Sequence, residues 1–91
     1  MYKIKNYSKE QAKKLNVEIK SSTRKNKKID VYRGDKKIAS IGDIRYDDYP
    51  TYIEKNGKEF AEKRRKLYKI RHNKTRNIKG SNSFWSDKIL W

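Results

Sequence analysis

Between positions 63 and 79 the chain carries Lys63, Arg64, Arg65, Lys66, Lys69, Arg71, Lys74, Arg76 and Lys79, nine cations with no acidic residue among them. Cations at this density do one kind of chemistry well: they neutralise the phosphates of a polyanion and release its condensed counterions. On a helix, positions 63, 66, 69 to 71 and 74 can form a basic face, and a flexible remainder can follow a phosphate backbone. The ordinary alternative is a solvated helix face that only keeps the domain in solution. Net charge favours the first reading. The 26 Lys and Arg against 11 Asp and Glu give +15, and self-repulsion of that size is relieved by a polyanionic partner. Nucleic acid ranks first among such partners, an anionic membrane surface second and an acidic protein third.

A second cluster, Arg24, Lys25, Lys27 and Lys28 around Asn26, falls in a loop between two expected strands. It reads equally as a groove-entering finger and as a polar turn. Its residue types support phosphate contact and no base-reading code. Stacking on unpaired bases would need aromatic rings exposed among these cations, with Tyr32, Tyr46, Tyr68 and Trp85 as the candidates. Core packing is the expected role of those rings, because a chain this poor in aliphatics needs its aromatics inside.

Catalysis has two weak footholds. Glu18-Ile19-Lys20 has the Glu-x-Lys form that places carboxylate, metal and lysine together in some nucleases. Such a site needs a second acid on a preceding neighbouring strand, and the only earlier acid is Glu10, in an expected helix, so an alternating surface strand is the reading. His72 is the single histidine and the chain has no cysteine, which removes disulfides, thiolate zinc sites and thiol nucleophiles. No enzyme activity, cofactor or metal site is expected. Asp43, Asp47 and Asp48 read as internal neutralisation of the positive surface.

The elements that must position these groups are small. Leu, Ile, Val and Phe supply 17 of 91 residues and charged residues 41%, a composition in which disorder competes with folding. Seven Tyr, two Trp and ten Ile in patterned runs favour one small ordered domain over residues 1–91. Tyr2 to Lys5 alternates at period two and predicts a strand; Ser8 with Gln11 has capping-box spacing and predicts a short helix from Lys9 to Leu15, ended by Asn16. Strands follow at Val17 to Lys20, Ile29 to Tyr32 and Lys37 to Ile41, the last two joined by a tight turn at Arg33-Gly34-Asp35-Lys36. Pro50 suits a first helical turn. From Lys58 to about His72 a longer helix is expected, with Phe60, Ala61, Leu67, Tyr68 and Ile70 toward one side and Glu59–Lys63 and Glu62–Lys66 pairs outside. Residues 73–83 read as an exposed basic linker. The apolar run from Phe84 to Trp91 should dock onto the body and close it.

In order along the chain, Tyr7-Ser8-Lys9-Glu10-Gln11-Ala12-Lys13-Lys14-Leu15, Lys27-Lys28-Ile29-Asp30-Val31-Tyr32, Ile38-Ala39-Ser40-Ile41-Gly42, Asp48-Tyr49-Pro50-Thr51-Tyr52, Arg64-Arg65-Lys66-Leu67-Tyr68 and Asp87-Lys88-Ile89-Leu90-Trp91 resemble an uncharacterised family of small basic proteins encoded by nucleocytoplasmic large DNA viruses. The resemblance covers nearly the whole chain. It implies a viral origin and a virion or replication-factory setting, and it transfers no catalytic residue. The order of hairpin and helix is also similar to integrase arm-binding domains, at the level of fold alone.

Together these readings give an α+β domain: an antiparallel sheet of three to four strands, a short N-terminal helix, a longer basic helix and a closing aromatic C-terminal segment. The expected function is non-catalytic, low-specificity binding of nucleic acid, DNA favoured, in packaging or organising a viral genome. The alternative is an internal virion protein whose basic face meets acidic capsid or scaffold proteins. With no membrane span and no signal-peptide core in the sequence, the expected location is the virion interior or an intracellular replication site, not the secreted fraction.

Overall fold

A computed structural model describes residues 2–91. Its elements run α1 (Asn6–Lys14), β1 (Glu18–Ser21), β2 (Ile29–Arg33), β3 (Lys36–Ile41), α2 (Tyr49–Asn56), α3 (Lys58–Arg71) and α4 (Asn82–Ile89). The radius of gyration, 12.5 Å, is that of a folded chain of this length, roughly 12 Å. The low aliphatic content has therefore not prevented collapse. The aromatic and isoleucine residues supply the core that the leucines do not.

The three strands form one antiparallel sheet in the order β1-β2-β3. Period-two alternation sets its inner face: Ile19 lies opposite Val31, Val31 opposite Ala39 and Ile29 opposite Ile41, and all of these but half-buried Ile19 are buried. The β2–β3 hairpin turns through Gly34-Asp35, with Arg33 paired to Lys36. Gly34 has φ +62°, the left-handed geometry that a two-residue hairpin turn requires. A bulge between Val31 and Tyr32 shifts the register, so the strand continues past an extra residue without losing its buried face.

The chain from Tyr2 to Lys5 is not a strand, contrary to its alternation. Side chains hold it instead: the Tyr2 hydroxyl donates to Asp48 at 2.7 Å and the Tyr2 carbonyl accepts from Ser21 Oγ at 2.7 Å. Helix α1 begins at Asn6, two residues before the expected cap, and Ser8 lies inside it, buried, donating to the Ile89 carbonyl at 2.9 Å. The hydroxyl that sequence spacing assigns to a cap is spent joining α1 to α4. Asn16 ends the helix region at φ 57°, as expected of a residue that tolerates left-handed geometry.

Asp48 caps α2 by accepting from the Thr51 amide at 3.0 Å, and Pro50 fills its first turn. Gly57 at φ 87° separates α2 from α3. The closing run is a helix, α4, capped by Ser81 accepting from the Phe84 amide at 3.1 Å. Trp85, Ile89, Leu90 and Trp91 are buried against the sheet and helices. The expected docking of this segment is what the fold contains. Gly42, at φ +79°, leaves room for it: a Cβ there would lie 2.8 Å from a Leu90 methyl and 2.9 Å from the Lys28 stem.

Candidate nucleic-acid interface

Helix α3 divides the long basic run by geometry. Ala61 and Tyr68 are its buried residues, so positions near their side of the helix turn inward and the opposite side faces solvent. Lys63, Lys66 and Arg71 are exposed, as are Lys74 and Lys79 in the hydrogen-bonded turns that follow. None of the five has an acidic partner within 4 Å among the described residues. Arg64 and Arg65 are half-buried over aromatic rings, 5.5 Å from the Tyr52 centroid and 4.6 Å from the Tyr49 centroid. Lys69 and Arg76 turn to the protein's own Asp87, at 2.7 and 3.8 Å. Asp87 is 2% exposed, so these two cations, with Lys88 at 3.8 Å, neutralise a buried carboxylate on α4, and Arg76 ties the 73–83 segment to it. That segment is largely exposed, as expected, but it is a chain of turns anchored at Arg76.

Two expectations for α3 are corrected. Phe60, Leu67 and Ile70 face solvent at 42, 53 and 65% exposure. Neighbouring residues on a helix lie about 100° apart, so Phe60 and Leu67 are rotated away from the Ala61 and Tyr68 stripe that the body covers. The outer pairs Glu59–Lys63 and Glu62–Lys66 are absent from the ion pairs of the described residues. Glu62 instead accepts from the Tyr49 hydroxyl and lies 3.8 Å from Arg65. That acceptance raises the Tyr49 pKa, with burial adding to it.

The loop cluster divides as well. Arg24 and Lys25 are exposed and Lys27 is half-buried. Lys28 does not face a partner: it is 4% exposed, and its Nζ lies 2.8 Å from Asp48 Oδ2. The correction has a plain cause. Ile29 next to it is fully buried at the start of the central strand, and the Lys28 amide bonds to the Ile41 carbonyl at 3.1 Å, which draws the side chain under the β3–α2 loop. Asp48 receives Tyr2, Lys28 and the Thr51 amide together. Burial alone would raise its pKa, but the Lys28 charge and these hydrogen bonds outweigh burial and hold it below the ordinary carboxylate value. Asp43 pairs with Arg45 at 2.6 Å and Asp47 with Lys55 at 3.3 Å, the internal neutralisation expected of this acidic stretch. Hydrogen bonds from Arg45 put the Asp43 pKa at about 2.

What sequence spacing does not show is that both basic clusters meet. A cavity of about 550 Å³ opens between the β3–α2 loop, α3 and α4, with Lys27 from the first cluster and Arg64 and Arg71 from the second on its walls. Tyr46, Tyr52, Tyr68, His72 and Trp91 are among its lining residues. Tyr68 stacks with Trp91 at 4.4 Å and 7° between planes, and with His72 at 4.3 Å and 27°. Burial and the neighbouring Arg71 charge lower the His72 pKa, Asp87 opposing them. Of the four aromatics weighed for stacking, Tyr68 and Trp85 are core residues and Tyr32 is half-buried beneath Lys20 at 5.1 Å; Tyr46 alone is well exposed, at 68%.

Glu18 and Lys20 are exposed on the edge strand β1, with Asp30 across from Lys20. Asp30 is occupied by hydrogen bonds from Ser22 and Ser40, each 2.7 Å, on the central strand. Among the described residues no three His, Cys, Asp or Glu side chains are grouped to hold a metal, and no helix is long and apolar enough to cross a membrane. The cations available to a large anion are thus Lys27, Arg64 and Arg71 at the cavity, Arg24 and Lys25 exposed in the loop beside Lys27, and Lys63, Lys66, Lys74 and Lys79 exposed elsewhere along α3 and the turns after it. Comparison with models of protein families, with curated proteins and with solved structures gives no match, so the functional reading rests on this geometry.

Proposed function

We propose that the protein is a non-catalytic nucleic-acid-binding protein of low sequence specificity, DNA favoured, that packages or organises a viral genome in a virion or replication site. The observation that carries this reading is the survival, among the described residues, of cations with no acid within 4 Å in both clusters, with Lys27 of the first and Arg64 and Arg71 of the second lining one cavity whose three carboxylates are each paired to another cation. Folding has used Lys28, Lys69 and Arg76 for internal pairs and left Lys63, Lys66, Arg71 and Lys74 in water. Such cations reach phosphates without reading bases. The viral setting rests on the sequence resemblance alone. Random-sequence duplex and single-stranded DNA, and RNA, tested for retention at low salt, should all bind; absence of binding to every one would discard the reading.

A second reading has its own observation. Phe60, Leu67 and Ile70 stand exposed beside Lys63, Lys66 and Arg71, and a mixed apolar and basic helix face also suits an acidic protein such as a capsid or scaffold component. Salt-resistant capture of an acidic amphipathic peptide, with no DNA binding, would favour it.

A further inference from the structure

The cavity differs from the rest of the basic surface in being concave and aromatic. A duplex offers a protein its phosphates and groove edges, with base faces stacked inside, whereas a single strand offers one base face per nucleotide. Convex cations such as Lys63 and Lys74 suffice for the first. Tyr46, 68% exposed at the edge of a space of about 550 Å³ that Trp91 also lines, provides for the second, in the ~300–1,000 Å³ range of small-ligand sites.

The charges are arranged to match. Lys27, Arg64 and Arg71 border the cavity with no acid within 4 Å among the described residues, while the three carboxylates there are held by Arg45, Lys55 and Lys28. Repulsion of an entering phosphate by Asp43, Asp47 and Asp48 is thereby offset at each position. Asn82 and Ser83 at the start of α4 add neutral polar groups to the lining, Ser83 Oγ accepting from Thr75 Oγ1 at 3.0 Å. These can meet the edge of any base, which fits low specificity.

We propose that this cavity receives one unpaired nucleotide of a single strand, its base against Tyr46 and its phosphates at Lys27, Arg64 and Arg71. The proposal rests on the nucleic-acid reading above and goes beyond it by assigning the protein a preference for unpaired bases and a place where one is held.

The test compares oligothymidylate with an abasic strand of the same length, which has the same phosphates and no bases. Thymidylate should bind about tenfold or more tightly, the gain typical of one stacked base. Trp85→Phe leaves Trp91 as the only indole, and its fluorescence should be quenched by thymidylate and not by the abasic strand. Tyr46→Ala removes an exposed ring, so the fold should persist by circular dichroism while the preference for thymidylate falls several-fold. Equal affinity for the two strands, with duplex DNA also bound, would overturn the cavity proposal and leave the nucleic-acid reading intact. Displacement of thymidylate by poly-glutamate as readily as by unlabelled thymidylate would overturn it too. Failure to bind either strand or a duplex would remove the underlying reading, and the proposal with it.

Discussion

Lys28 shows what a residue type conceals. In sequence it is one of four cations in a loop, indistinguishable in chemistry from Lys25 three residues earlier. In the fold its ammonium sits beside Asp48, twenty residues on, where neither group meets water. Pairing across that separation is invisible to spacing, because it depends on how the β3–α2 loop folds back. The two lysines should therefore respond differently to alanine. Lys28→Ala leaves a buried carboxylate without its counter-charge and should cost about 3–5 kcal/mol of stability, whereas Lys25→Ala should stay within roughly 0.5 kcal/mol and weaken DNA binding. Urea unfolding of the two variants checks this. Equal stability would mean that the Lys28–Asp48 pair does not form.

At the scale of elements, the hairpin, the sheet and the extent of α3 were legible because their signals are local: alternation at Val31 and Ile41, the Gly34 turn, and Gly57 ahead of a helical run. The inner side of α3 was half legible. Its pattern puts Ala61 and Tyr68 inside, where they are, and Phe60, Leu67 and Ile70 with them, where they are not; only tertiary packing decides which of two apolar stripes a body this small can cover. Helix α4 was foreseen as a docked segment without its helical form. Ser81 three residues before Phe84 was the available signal, hidden in a stretch whose Gly, Ser and Asn read as linker. Because α4 brings Trp85, Ile89 and Leu90 into the core and Asp87 to Lys69 and Arg76, it is structural before it is functional. Trp85→Ala should lower stability by about 3–5 kcal/mol, read as a fall in the urea midpoint with unchanged affinity for DNA per folded molecule. Loss of binding with an intact midpoint would make Trp85 a recognition residue.

The whole molecule is a balance between a small aromatic core and a net charge of +15. Its buried carboxylates make that balance depend on pH. Burial would raise the Asp30 and Asp48 pKa values, but hydrogen bonds and neighbouring lysines outweigh it, and both lie below the ordinary value in the folded state. A carboxyl lowered by folding stabilises fully above its unfolded pKa, roughly 3.9, and loses that contribution as pH falls through the folded value. His72, lowered chiefly by burial, acts in the same direction beginning near its unfolded value of about 6.5. Melting temperature should thus fall as pH drops from about 7 to about 3, with rising positive charge adding repulsion. A melting temperature that does not fall as pH drops below roughly 3.9 would contradict the buried networks described for Asp30 and Asp48.

The convergence of two basic clusters at a cavity was not legible, since it requires a loop and a helix nearly forty residues apart to be placed side by side. It makes binding testable by counting phosphates. The most direct measurement is the slope of log affinity for random duplex DNA against log salt, for the native chain and for a variant with Lys63, Lys66, Arg71 and Lys74 changed to Gln. The native slope should be steep, and the variant's shallower by about 0.9 for each phosphate that the variant no longer neutralises, with thermal stability kept because exposed charges contribute little to folding. No measurable affinity at low salt, or a slope left unchanged by the four substitutions, would contradict a nucleic-acid interface on this face.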